Sequence, residues 1–514
     1  MKARWTAPAL LTLALGSGVA RADDEPPSTV EELAPAADAP TPPNEAELDA
    51  LAAMDIEQLL HAPTTVAGAR ATGLRESPGV VTRITRDEIL SAGARDLLDV
   101  LALVPGFFAG TDVQGTLGVG MRGLWGHEGK ILFLLDGQPL NELSYSTTAL
   151  GSRVPVEMIE RIEILRGPGS ARYGGFAELA VVNIVLIEAD DPGTRAYASA
   201  NAGQLHGTWG RQNGTAVLSH RFESVKDLTL TARAYVSQAH PSNARYRDLF
   251  GNSFDTTNNQ RWTQRLATAG LKYRALDVRY MFEDYTVRYR DGYDNLADVP
   301  QGLKFDHWSH HLSAQLPLKP IESLTITPRF EYHRQLPFNA TLSSARIAQL
   351  SDEQRALAPL FYYDRLAERT VGALRVDWDI IPELKLSVGG QANFDRARQN
   401  DYDPRIHTFQ GESLYRSDHL TATFVNLIAF SELSSENRYL NITAGARYEH
   451  HSQFGSAFAP RLALSKVLGD FHVKALAAQA FRSPGFENIN LGRDIKPERL
   501  LVLEMEVGYR ITQE

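Results

Sequence analysis

The chain has no cysteine among its 514 residues. No disulfide can staple it, so its stability must come from core area or from closure of a barrel. It also has no run of about twenty apolar residues beyond Leu15, which leaves strands, not a helix, as its only way across a bilayer. A basic surplus is missing too: 52 Lys and Arg stand against 62 Asp and Glu, a net charge of −10. Nucleic acid is therefore not an expected partner, because its phosphates call for a basic footprint. Between Asp23 and Asp49 there is no Lys or Arg at all. That segment is rich in Pro, Ala, Asp and Glu and lacks the apolar side chains that would offset the entropy of ordering it.

What is present begins with an export signal. Lys2 and Arg4 precede an apolar stretch from Ala7 to Leu15, and Ala20-Arg21-Ala22 supplies a small-x-small cleavage pattern. Residues 1–22 are read as a signal peptide and 23–60 as a disordered acidic leader. At this length at least two domains are expected.

Residues 76–190 read as a small α/β unit. Val80, Val81 and Ile84 form a short strand, after which Thr85 and Glu88 have the spacing of a capping box. Gly93 ends that helix, and a second, Arg95 to Val104, puts Leu97, Leu98, Leu101 and Val104 on one face before Pro105-Gly106. The run Ile131 to Leu135, closed by Asp136-Gly137, is too continuously apolar for a half-exposed strand and is expected to be buried on both faces. Further on, Ile162 to Leu165 and Val181 to Val185 are two more short strands. A glycine-rich connection, Arg166-Gly167-Pro168-Gly169 to Tyr173-Gly174-Gly175, joins them.

These pieces, in order "VVTRITRDEILSAGARDLLDVLALVPG", "MRG", "LLDGQPLNE" and "IEILRGPGSARYGG", resemble the plug domain of TonB-dependent outer-membrane receptors. The resemblance implies a Gram-negative outer-membrane protein, a receptor and not an enzyme. Its partners would be outer-membrane lipid, the inner-membrane energy transducer TonB, and a small-molecule ligand such as a ferric siderophore or another metal chelate. It implies no resident cofactor. It also assigns the segment 61–75 as TonB-box-like, with Thr64, Thr65, Val66 and Ala67 as TonB contacts. There an extended backbone would add as a strand to the partner, and a plain linker is the alternative.

From residue 194 to 514 the helical period gives way to alternation. Leu228, Leu230, Ala232, Ala234 and Val236 alternate with Thr229, Thr231, Arg233 and Tyr235, and stretches near Ile326 and Ile442 behave alike. A soluble sandwich would alternate too, so the connections decide. Short links such as Pro382-Glu383 and Leu468-Gly469-Asp470 take turns with long ones such as His240 to Trp262 and Asn400 to Ser417, as in transmembrane barrels. The expected fold is mainly β: an α/β plug followed by an antiparallel transmembrane β-barrel.

About fourteen strands are expected from Ala196 to Ile511, against about twenty-two in the family's barrel. A plug of about 130 residues has a hard radius of roughly 18 Å, while fourteen strands close to only about 14 Å. A closed fourteen-stranded ring could not hold it. Either the barrel is an open arc with exposed edges, which lipid does not tolerate, or the chain is a truncated product; truncation is the reading, with a smaller working barrel, or a plug outside a small pore, as further alternatives. A truncated receptor that binds without transporting is the corresponding functional alternative.

No catalytic constellation and no metal site is expected. The paired histidines His310-His311 and His450-His451 lie on strands, where neighbours face opposite ways. Arg122 and Arg166 each precede a glycine in the plug, where an unpaired cation is costly to bury. By resemblance they lock the plug to barrel glutamates, of which one maps onto Glu506; satisfying local carbonyls is the alternative. Tyr246, Arg247, Tyr293, Tyr402, Arg405, Tyr415 and Arg416 mix aromatics with cations in or beside the long loops. They suit an anionic, ring-bearing chelate, and equally tyrosine collects at membrane interfaces.

Overall fold

The computed structural model describes residues 66–69, 72–112, 116–169, 171–205, 207–242, 244–247, 251, 253–255, 260–289, 303–339, 348–349, 351–352, 364–400, 408–409, 412–413, 421–491 and 495–511. All belong to one compact unit. The expected signal peptide and leader lie outside them.

The plug is built on a five-stranded sheet in the order Val80–Thr85, Ile159–Arg166, Ala180–Leu186, Ile131–Leu135, Gln138–Pro139. Only the Ile131–Leu135 and Ala180–Leu186 pair is parallel. Every residue of Ile131–Leu135 is buried, as its unbroken apolar run requires. Thr85 caps the helix Arg86–Ser91, its hydroxyl accepting from the Glu88 amide while the Glu88 carboxylate accepts from the Thr85 amide. Such a box contributes about 1 kcal/mol. The second helix runs Leu97–Ala102 and takes Asp96 as its cap, shorter at both ends than the apolar pattern suggested. Leu97, Val100 and Leu101 bury against the sheet, in one core with Ile162, Ile164, Val182 and Ile184.

Beyond the plug, apart from two short two-stranded ribbons, the strands form one antiparallel sheet of 15. Fourteen follow one another from Gly193–Leu205 to Glu498–Tyr509, and Leu318–Ile321 adds beside Leu324–Asn339. Its burial is inverted relative to a soluble sheet. In Leu228–Ala239 the residues Thr229, Thr231 and Arg233 are buried, whereas Leu230 and Val236 are exposed. An apolar outer face over a polar inner one is the pattern of a lipid-facing wall. Among the described residues the first and last strands each pair on one side only, so the sheet is an open arc. The plug sits in its concave polar face: Val217, Tyr235, Leu266 and Met281 from the arc join the plug core. A plug outside a small closed pore is thereby excluded, because the arc's inward residues are the ones that cover it.

Candidate functional site

The concave face of the arc carries cations aimed at the plug's backbone. Arg233 donates to the Ile187 carbonyl at 2.9 Å and Arg329 to that of Gly137 at 2.9 Å. Arg447 reaches the Ala171 and Arg172 carbonyls at 3.3 Å each. Alternation places these side chains inward, and plug carbonyls outside the sheet ladder supply acceptors for them.

Buried charge pairs add to this. Arg153 of the plug and Glu283 of the arc are 3% and 1% exposed and form a two-pronged pair, Nη2 to Oε2 at 2.8 Å. Arg365 and Glu487 pair in a similarly buried setting near the connection that follows Arg482. Asp136 of the plug receives Arg233 at 3.1 Å and Arg279 at 2.9 Å.

Of the expected lock residues, Arg122 forms its ion pair with Glu504. Glu506, two residues along the same strand, accepts from His472 at 2.9 Å and from Lys474 at 3.1 Å. Arg166 is half-buried within the fields of Glu506 and Glu504, and burial holds its pKa below the usual guanidinium value. Both carboxylates face the plug because alternate residues of Glu498–Tyr509 point the same way.

Of the expected TonB contacts, Thr64 and Thr65 lie outside the described residues. Val66 and Ala67 are each 1% exposed. Their segment is clamped to the arc: Arg461 donates to the carbonyls of Ala67, at 2.8 Å, and of Pro78. The Ala69 amide donates to Glu432 at 2.7 Å, and Lys474 reaches the carbonyls of Leu74 and Gly79 at 2.7 and 3.1 Å. Sequence reading missed this clamp, because the plug-side atoms it holds are backbone carbonyls and an amide, which no side-chain pattern marks.

Of the loop candidates, Arg247 is exposed and donates to the Gly251 carbonyl at 3.2 Å. The backbone of Tyr246 lies in the short strand Arg245–Arg247. Tyr293, Tyr402, Arg405, Tyr415 and Arg416 lie outside the described residues. The histidine neighbours face opposite ways: His311 is buried, and His310 bonds the Tyr280 hydroxyl at 2.7 Å. His311 meets His333 instead, Nδ1 to Nδ1 at 2.6 Å, and His333 meets Glu331 at 2.8 Å. Among the described residues no group of three or more ligands is placed to hold a metal ion.

A cavity of about 250 Å³ separates plug from arc. Plug residues Leu132, Asn141 and Tyr173 line one side, and Arg369, Asn393 and Arg447 of the arc line the other. Above it the plug turn 142–147 is organised by Glu142, whose carboxylate accepts from the amides of Ser144, Tyr145 and Thr147 at 2.5, 2.8 and 2.9 Å. Full burial nevertheless raises its pKa. A carboxyl whose folded pKa is raised contributes stability that is complete below the ordinary carboxylate range and is lost as pH rises through the folded value. The melting advantage of the wild type over Glu142→Gln should therefore shrink with rising pH in thermal scans, and a difference constant with pH would contradict this.

Residues 73–180 match the family model for the TonB-dependent receptor plug domain, and 168–504 that for the TonB-dependent receptor-like β-barrel. The ferrienterobactin receptor of Escherichia coli (strain K12) is 25% identical over 496 residues, spanning 84% of this chain and 62% of that protein. The vitamin B12 transporter of Vibrio vulnificus (strain CMCP6) is 22% identical over 465 residues, spanning 85% and 65%. The chain thus spans less than two thirds of the length of these relatives. In fold it is similar to a ferric enterobactin receptor mutant of Pseudomonas aeruginosa solved with enterobactin, with a TM-score of 0.64 at 17% identity, covering 85% of this chain and 70% of that one. An unliganded ferric citrate transporter gives 0.60 at 16%, covering 85% and 68%.

Proposed function

We propose, from the premise that this chain belongs to the TonB-dependent receptors, that it serves in the outer membrane as a receptor for energised uptake of a scarce small ligand, most specifically a ferric siderophore or similar metal chelate. The observation that carries this is the plug seated against the polar concave face of an arc whose outer face is apolar. Such a wall suits lipid outside and a solute path inside. The relatives named for ferric enterobactin and vitamin B12 support a bulky chelate as the ligand class.

The geometry supports a division of roles. Ligand would bind at the long-loop end, where the cavity is bordered by Ser483 and Phe486. TonB would engage the chain around Thr64 to Ala67 and pull. The load then reaches the Arg461 clamp first and afterwards the Arg122–Glu504 and Arg153–Glu283 pairs. Arg166 acts as a lock residue through the field of Glu506, not through a rigid pair.

The test is uptake of iron-55 presented as single defined chelates, in cells lacking their own receptors and carrying this chain, with and without TonB. Uptake of at least one chelate is expected only with TonB. Uptake that is the same without TonB, or binding with no uptake in either strain, would overturn the transport reading.

A further inference from the structure

The outer wall carries a row of cations at its long-loop rim. Three neighbouring strands meet there, Arg261–Tyr273, Leu276–Tyr289 and Leu303–Gln315. Antiparallel register sets Arg261 opposite Arg288, and Arg288 opposite Lys304. Alternation fixes the face they share. Their chain neighbours Trp262, Val287 and Phe305 are buried together on the concave side. Arg261, Arg288 and Lys304 therefore point out of the wall, and Arg288 and Lys304 are exposed.

Like charges directly opposite one another on paired strands are destabilising. The carboxylates of this face lie in the rows beneath and have partners of their own. Asp284 takes Arg265 at 2.8 Å, and Asp306 accepts from the Thr286 hydroxyl at 2.7 Å and pairs with Lys304. Among the described residues neither the Arg261 nor the Arg288 guanidinium has an ion pair or a hydrogen bond. Farther down the same face the wall turns aromatic. Trp308, four residues and about 14 Å along the strand from Lys304, packs against His310 at 5.2 Å, and Phe282 meets His310 at 5.1 Å between ring centroids. Tyr280 bonds the same imidazole at 2.7 Å, and Leu312 follows, exposed. Rings of this kind mark the boundary between headgroups and hydrocarbon. Cations one level farther out stand at the depth of lipid phosphates. With strands about 4.8 Å apart, the row spans about 10 Å, so its long side chains can converge on one phosphate.

We propose that Arg261, Arg288 and Lys304 form a docking site on the outer wall for the phosphate headgroup of an outer-leaflet lipid, whose chains lie over Phe282, Trp308 and His310. Guanidinium forks match phosphate oxygens, and an anion bound there turns the repulsion within the row into attraction. The site goes beyond the uptake reading and rests only on the wall facing lipid; it holds whichever ligand the plug admits, or none.

The probe is dodecyl phosphate, titrated into the full chain held in dodecyl maltoside micelles and followed by phosphorus NMR. Binding should saturate, and added salt should weaken it. Arg288→Gln is expected to weaken it about fivefold, and the double variant Arg261→Gln/Arg288→Gln about twenty-fivefold. Arg398→Gln removes an exposed cation at the long-loop end of another strand, Leu384–Gln399, where it bonds Asn400 at 2.9 Å. It should leave binding unchanged. No saturable binding by the wild type, or an equal loss in Arg398→Gln, would overturn the site, the latter because any surface cation would then serve. Thermal scans separate binding from a structural role. Without the probe, Arg288→Gln should melt no lower than the wild type, because it relieves the row, and it should lose most of the melting gain that dodecyl phosphate gives the wild type. A lower melting point without the probe would mean that the cation holds the wall through protein contacts, against the proposal. Inorganic phosphate at the same concentration should not compete; full competition would make the ligand a soluble anion and overturn the lipid assignment.

Discussion

Arg153→Met is expected to loosen the plug more than any other single change. It strands Glu283 in the wall with a side chain 1% exposed, keeping, among the described residues, Gln264 at 3.1 Å and Ser309 at 3.5 Å as donors. Removing one partner of a buried pair costs about 3–5 kcal/mol, chiefly because the survivor is an uncompensated charge. Exchange of the amides in Ile159–Arg166 and Ala180–Leu186 should accelerate at least a hundredfold, since about 1.4 kcal/mol is a factor of ten. The double variant Arg153→Met/Glu283→Leu should recover most of the loss, because it leaves no buried charge behind. If the single variant exchanges like the wild type, the pair does not fasten the plug.

The second large effect is expected at the clamp. Arg461→Ala removes bonds to the Ala67 and Pro78 carbonyls, and it leaves Glu432 with the Ala69 amide but without its guanidinium neighbour at 3.8 Å. Hydrogen bonds to charged groups contribute about 1.5–3 kcal/mol each, so losing two corresponds to a rise in local opening of at least about a hundredfold. Exchange at residues 66–69 should rise by that factor while the strand Ile131–Leu135 is unaffected. Binding of purified TonB periplasmic domain should tighten in parallel, because Val66 and Ala67 no longer have to be extracted first. Faster exchange without tighter binding would place the TonB contact elsewhere in the chain.

Much of this molecule was legible in its sequence because the relevant physics is local. Thr85 and Glu88 are three residues apart, and the cap they form follows from that spacing alone. Alternation in Leu228–Ala239 gives the two faces of the strand directly, whichever strand lies beside it. The Arg122-Gly123 and Arg166-Gly167 steps stood out because a cation beside glycine in a buried unit requires a partner. The partner itself was not legible: Arg122 takes Glu504 and not Glu506, and both lie on the same face of one strand. Choosing between them depends on register and on where the plug seats.

By itself, the sequence determined the plug-and-antiparallel-sheet fold class, the inside-out polarity of the sheet, and the family. The fold features rest on periodicity, capping and turn chemistry within a few residues, and the family on the resemblance of the plug motifs. The tertiary structure alone decided what holds the plug in place. Arg153 and Glu283 are 130 positions apart, and Arg461 lies 394 positions from the Ala67 carbonyl it holds. No local pattern encodes contacts at such separations, and several of the acceptors are backbone oxygens, which every residue carries alike. It also decided that five arginines would share one cavity, because their convergence depends on strand order and register rather than on any neighbour in the chain.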